Sequence, residues 1–541
     1  MSLVRPARLR PSGRVETKSA KEAPAVPVKF PAPLAGWVEN QNLATNGTGA
    51  VVCENMFPTS RGLRVRGGST KVATVGARAR SMFTYETATV AKFFCATGSA
   101  IYDITAMDPN TVPSAAVSGL ASGYFSAEQM GTVGGEFLYA VNGTDSARLF
   151  NGATWTTITG VSTPAITGIT TSTLSFVWKH KNRLWFVEKN TKNAWYLPVD
   201  SVGGAAAQFS LAGVFQKGGA LLFGVTWSQD SGDGMDDRIV FVSTEGEIAV
   251  YQGTNPASAT DWGLVGLYNM PAPRGKKCHI RAGGDVIIGT DAGAIPLSAS
   301  IDKDPAALSA AAVSSAIETS WLKSTRTWDA IQAWEMVKWP QENMLIVSLP
   351  HEGAISFVAN IQTGRWAKYI GWDAQCFAVF DERLYFADIS GNVFAAERGG
   401  TDNGAAYIAR LSYIASDFES PAQFKVTGLM RGTFQAVGTP VVQLSASSDY
   451  STVFPALPNA FVPSGGAGAK WDVSLWDQAK WDDDGLNNYL VKPTYTTGWV
   501  PVAAQGYALS PQMQMVISGT GRPDVELVQI DMMIEAGGAV G

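Results

Sequence analysis

The sequence predicts an all-β chain centred on a β-propeller of six to eight blades, with a β-sandwich-like platform domain formed together with the N-terminal segment. Three observations carry this. Short apolar runs joined by Gly turns recur as seven β-hairpins, about 40 to 60 residues apart, the spacing of propeller blades. Charged residues are only 16% of the 541, while glycines number 56, which favours sheet with many turns. Beyond about residue 405 the hairpins give way to longer strand-like runs, the pattern of a sandwich rather than of blades.

The clearest hairpin is Asp381 to Arg398. Leu384-Tyr385-Phe386-Ala387 and Val393-Phe394-Ala395-Ala396 flank Ser390-Gly391-Asn392, whose residues tolerate the positive φ of a tight turn. Both faces of Leu384–Ala387 are apolar, so the hairpin belongs inside a stack of sheets. The same pattern runs through Lys92–Asp103, Glu136–Phe150, Asn182–Leu197, Arg238–Tyr251, Asp285–Leu297 and Asn343–Val358. One blade cannot bury both its faces, but a ring of blades can. The competing arrangement is a pair of ordinary β-sandwiches with similar hairpins.

Taken in order, residues 1–33 form a basic, Pro-rich arm. Arg5, Arg8, Arg10 and Arg14 join Lys18, Lys21 and Lys29 against Glu16 and Glu22, and six prolines are expected to block helix and sheet. An arm of this kind needs something outside the domain to hold it, a neighbouring subunit or a partner protein. Residues 34–90 supply the N-terminal part of the platform. There Arg64 and Arg66 alternate with Leu63 and Val65, as on a strand with one wet face ended by Gly67-Gly68.

The propeller is expected over 91–400. The acidic loop Asp230–Asp237 lacks the ligand spacing of a calcium loop and reads as a solvated turn. One inserted helix is expected near 304–323, capped by Asp304 with Pro305 in its first turn, and Leu308, Ala312, Ile317 and Trp321 along one side. Residues 401–541 read as the C-terminal β-sandwich-like platform. Within them Trp471, Trp476 and Trp481 are each followed by Asp at a five-residue spacing that fits neither helix nor strand. Their bland role is packing over the sandwich, and their sharper one an intersubunit contact.

Chemistry is thinly represented. The three histidines, His180, His279 and His351, have no metal-binding spacing, and no nucleophile elbow, Walker loop or dinucleotide fingerprint is present. One degenerate Asp-box, Ser447–Phe454, falls after the blades. No catalytic, cofactor-binding or metal residues are assigned, no cofactor is called for, and the chain is not expected to be an enzyme. Cys53, Cys95, Cys278 and Cys376 are far apart and read as buried free thiols. The net charge of −5 argues against wrapping nucleic acid. No apolar window is long enough for a membrane span, and synthesis in the cytoplasm is expected.

Several stretches together resemble the tail nozzle (tail hub) proteins of short-tailed bacteriophages, the group of packaged-DNA stabilisation proteins and tail tubular proteins of the B type. They are Glu54–Thr59 leading to Leu63–Gly68, the Ala-rich helix up to Trp321, Tyr413–Lys425, Ser448-Asp449-Tyr450, the Trp-Asp stretch 471–482 and the closing Ile534–Gly538. The resemblance implies a structural virion protein of the tail, made in the host bacterial cytoplasm. It implies a homo-oligomer, a hexamer, below portal and adaptor (the head-to-tail connector), with tail fibres or spikes as further partners and genomic DNA passing through the channel. The ring would retain the packaged genome and pass it during ejection, and acidic residues are expected to face the channel so that DNA slides. Partner contacts are expected from Arg5, Arg8, Arg10, Arg14, Trp471, Trp476 and Trp481. A carbohydrate-binding β-propeller for host-surface recognition is the alternative, and a propeller glycosidase, which would need paired acids at the propeller mouth, comes third.

Overall fold

The computed structural model describes residues 25–39, 47–228, 237–327, 334–349, 355–436, 439–463 and 494–539. It is a β-propeller joined to a platform of two sheets. Six blades are sheets of their own. Blades 1 to 4 begin with Ala79–Glu86, Ser126–Thr132, Leu174–His180 and Leu221–Trp227, and each has four antiparallel strands. Blade 5, from His279–Ala282, has three strands. The sixth station is Glu335–Trp339, Met344–Ser348, Ile355–Asn360 and Arg365–Ile370, a four-stranded limb of a nine-stranded sheet that runs on into the platform. The remaining blade begins with Cys376–Phe380. Every hairpin expected from sequence supplies the second and third strands of one of these stations.

The ring closes on itself. Cys376–Phe380 packs against Ala79–Glu86, and Phe93 stacks on Phe380 with ring centroids 5.1 Å apart. The outer strand of the last blade comes from far upstream: Ser69–Thr74 pairs antiparallel with Asn392–Ala396. Apolar cores fill the spaces between blades, such as Phe94, Phe125 and Phe150 between blades 1 and 2 and Phe176, Phe223 and Phe241 between blades 3 and 4. Blade faces approach closely at Gly224, where a Cβ would lie 2.2 Å from the Trp178 ring. Gly391 takes φ +81° in the turn of the last blade, and a Cβ there would meet the Ala77 carbonyl at 2.1 Å.

The platform interlaces the two ends of the chain. Ala50–Glu54 inserts between Arg365–Ile370 and Tyr407–Tyr413, and the sheet continues through Leu509–Ile517 to Gln443–Ser448. A second, seven-stranded sheet is built on the long pair Gln423–Ala436 and Val525–Ala539. Val26–Pro31 lies along Val525–Ala539 as an edge strand, so its prolines do not keep it out of the sheet. An edge strand needs ladder donors on one side only, and Val28 and Phe30 face the core.

Two local expectations are corrected. The segment 304–323 is not one helix. Short helices Leu297–Asp302, Leu308–Ala311 and Glu318–Thr327 alternate with 3-10 turns at Pro305–Ala307 and Ser315–Ile317. Asp304 does cap, accepting from the Ala306 N–H at 2.9 Å. The breaks have a packing cause: Leu308 and Ala312 enter the core of blades 4 and 5, whereas Ile317 and Trp321 enter the platform core, and one straight helix cannot serve both. The insertion also covers the edge of three-stranded blade 5, where the Val313 N–H donates to the Ala294 carbonyl at 2.9 Å. The second correction concerns Arg66. Leu63–Val65 is a strand, but no wet face follows it, because the Arg66 side chain is wholly buried.

Candidate functional site

Arg5, Arg8, Arg10, Arg14, Trp471, Trp476 and Trp481, and the acidic loop apart from Asp237, lie outside the described residues. The structure instead brings together two clusters of charged groups, neither of which stood out in the sequence.

The first lies where the first strands of several blades begin. The first strands of neighbouring blades pack on one another, and Lys276 precedes that of blade 5. Its ammonium donates to the carbonyls of Ser175 in blade 3 at 2.6 Å and of Tyr124, just before blade 2, at 3.2 Å. It also lies 4.7 Å from the Tyr124 ring centroid, a cation–π contact. Beside it Lys277 pairs with Glu335 at 3.3 Å, and the other Glu335 oxygen accepts from the Phe377 N–H at 3.2 Å. Five of the seven stations thus meet at one cluster. Burial, with the Lys277 and Lys189 charges adding to it, pushes the Lys276 ammonium down to about 7. His279, stacked flat on Phe223 at 4.2 Å, is lowered to about 4 by burial. No signal in the local sequence marks Lys276, because its partners are backbone carbonyls more than a hundred positions away.

The second cluster ties propeller to platform. Arg66 donates bidentately to Asp402 at 2.7 and 2.9 Å, to the Ile370 carbonyl at 2.9 Å and to Asn55 at 2.8 Å. Its guanidinium lies over the rings of Tyr407 at 4.0 Å and Trp372 at 5.0 Å. Burial opposes its charge, but the Asp402 hydrogen bonds and charge outweigh burial, and its pKa rises. Next to it Glu397 accepts from the Gly67 N–H at 2.6 Å, from Tyr369 at 2.8 Å and from Arg522 at 3.1 Å. Arg64 and Arg522 both also pair with Glu342. Burial pushes the Glu397 carboxyl up, against the pull of Arg64. These groups come from both ends of the chain and from two propeller stations, and every charge has a partner. The cluster can hold domains together, but it offers no open position to a ligand.

Among the described residues no group of three or more His, Cys, Asp or Glu is placed to hold a metal. Cys53, Cys95, Cys278 and Cys376 are all buried and unpaired. The Asp-box-like stretch is a turn of the platform, locked where Asp449 accepts from the N–H groups of Tyr507 at 2.8 Å and Ala508 at 3.2 Å. Among the described residues no helix is long and apolar enough to cross a membrane.

No protein-family model matches the chain, and no curated protein matches it. Solved structures similar to it include a computationally designed protein, Ika8, at 10% identity and TM-score 0.35, covering 60% of this chain and 98% of that one. The β-propeller domain of Cps50 (Swd1) from Myceliophteria thermophila is 8% identical with TM-score 0.36, covering 61% of this chain and 99% of that one. YCF48 bound to a D1 peptide is 10% identical with TM-score 0.33, covering 61% and 94%.

Proposed function

We propose that this chain is a structural virion protein, the tail nozzle of a short-tailed bacteriophage. In this reading several copies, a hexamer, form a ring below portal and adaptor, carry tail fibres or spikes, continue the DNA channel, retain the packaged genome and pass it during ejection. The observation that supports it is the interlacing of chain ends. Val26–Pro31 and Ala50–Glu54 share sheets with strands beyond residue 400, so the platform is built from both ends of the chain and the propeller lies between them in sequence. That matches what the resemblance leads one to expect of a platform built from N- and C-terminal parts. In this reading DNA passes between copies and not through a propeller, whose blades 2, 3 and 5 are tied together by Lys276.

The test is native mass and negative-stain imaging of the full chain, alone and mixed with virion extract depleted of it. A six-fold ring, alone or on the portal–adaptor end, is expected. A persistent single copy that ignores that end and binds host glycans would instead establish the carbohydrate-binding reading. Deleting residues 1–24 should weaken adaptor binding while leaving the melting temperature unchanged. The cut must stop before Val26, because Phe30 packs on Tyr413 and Phe418.

A further inference from the structure

One tight turn sets the Asp402 side of the junction between propeller and platform. Asp402, which holds Arg66 with two hydrogen bonds, opens the turn Asp402-Asn403-Gly404-Ala405. Asn403 takes φ +50° and Gly404 φ +90°. Two positive φ values in succession are the signature of a type I′ turn, for which Asn-Gly is a preferred pair. Paired backbone hydrogen bonds close it. The Asp402 N–H donates to the Ala405 carbonyl at 2.8 Å, and the Ala405 N–H to the Asp402 carbonyl at 3.0 Å. The Asn403 N–H donates to the Ser69 carbonyl at 2.7 Å, at the start of the strand that completes the last blade. The position of Asp402 therefore depends on a turn whose span is fixed by its two central residues.

Asn is a labile residue, and most so before Gly, which has no Cβ to keep its own nitrogen away from the Asn side-chain carbon. Asn-Gly pairs among the described residues stand at 142, 151 and 403. Asn142 is buried and locked. Its amide donates to the Ser122 carbonyl and to Asp145, and its oxygen accepts from the N–H groups of Thr144 and Asp145. Asn151 is held through its oxygen, which accepts from the N–H groups of Ala153 at 3.0 Å and Thr154 at 2.8 Å. The Asn403 side chain is exposed and has no hydrogen bond among the described residues. A Cβ built on Gly404 would meet nothing within 4 Å. The Gly404 N–H donates to the Thr401 hydroxyl at 3.1 Å, a neutral hydrogen bond at the surface that water can replace.

We propose that Asn403 is a site of spontaneous deamidation, and that its conversion loosens the junction of propeller and platform as the protein ages. The Gly404 nitrogen gives its proton to hydroxide and bonds to the Asn403 Cγ, the Cγ–Nδ2 bond breaks, and ammonia leaves. Water then opens the five-membered imide at one of its two carbonyls and leaves aspartate or isoaspartate. Isoaspartate carries the main chain through Cβ and Cγ, one carbon longer, so the Asp402–Ala405 pair no longer closes and Asp402 loses its place opposite Arg66. The test holds the full chain at pH 9 for a graded series of times and maps it peptide by peptide by mass spectrometry, which reads each Asn separately. Expected is conversion at Asn403 at least tenfold faster than at Asn142 or Asn151, with a urea midpoint that falls as conversion proceeds. Asn403→Gly has no side-chain amide and keeps the positive φ, so its midpoint should hold over the same times. No conversion at Asn403, or a comparable rate at Asn142 or Asn151, overturns the proposal. So does a midpoint that stays level while Asn403 converts, or one that falls equally in Asn403→Gly.

Discussion

Lys276 shows how one side chain can carry an electrostatic load for a whole ring. Its ordinary pKa near 10.5 falls to about 7 in the folded chain, mainly through burial. Between those two values the unfolded chain holds a proton that the folded chain has released, so stability rises with pH across that window and is flat below it. Wild-type protein should therefore show a higher urea midpoint at pH 9 than at pH 7, and Lys276→Met should flatten the rise. Equal slopes in the two proteins would show that the ammonium is not held out of water. The variant also leaves the Tyr124 and Ser175 carbonyls without their donor, so its midpoint at pH 9 should lie below that of the wild type. None of this is legible in the sequence, where Lys276 is one of three basic residues in a loop between hairpins.

At the scale of elements, the strand Ser69–Thr74 decides whether the ring is closed. It is the outer strand of the last blade, borrowed from upstream of the first, and holds both ends of the propeller in one sheet. Ala73, 2% exposed, pairs with Val393. Ala73→Pro places a ring without an N–H in this strand and should cost about 3 kcal/mol or more, read as a drop in melting temperature. A variant that melts with wild type would mean that the closure contributes little. The seven hairpins could be read beforehand because each is local: alternating apolar runs and a Gly turn lie within some fifteen residues. The broken helix could not, because its breaks are set by two cores that Leu308 and Trp321 enter separately.

For the molecule as a whole, the decisive contacts join propeller and platform. Arg66→Ala removes the bidentate partner of Asp402 and the cation over Tyr407, and should cost about 3–5 kcal/mol in denaturant unfolding. The pair Arg66→Ala with Asp402→Ala should cost clearly less than the sum of the two single changes. Full additivity would mean that the junction is not coupled. The proposed assembly also belongs to this scale, since it asks what the platform does when copies meet.

Local pattern was enough to show that this chain is all-β, that its centre is a run of hairpins fit for a propeller, and that its last quarter forms longer strands. Those features depend on neighbours in sequence, where side-chain periodicity and turn chemistry act directly. Tertiary structure alone decided that Arg66 is buried, that Lys276 bridges three blades and that the sixth station belongs to the platform sheet. Each rests on partners brought together from distant positions, as with Thr59 and Glu526, which bond across 467 residues. A one-residue pattern carries no information about a partner at that distance, because the free energy of the contact exists only once both segments are folded.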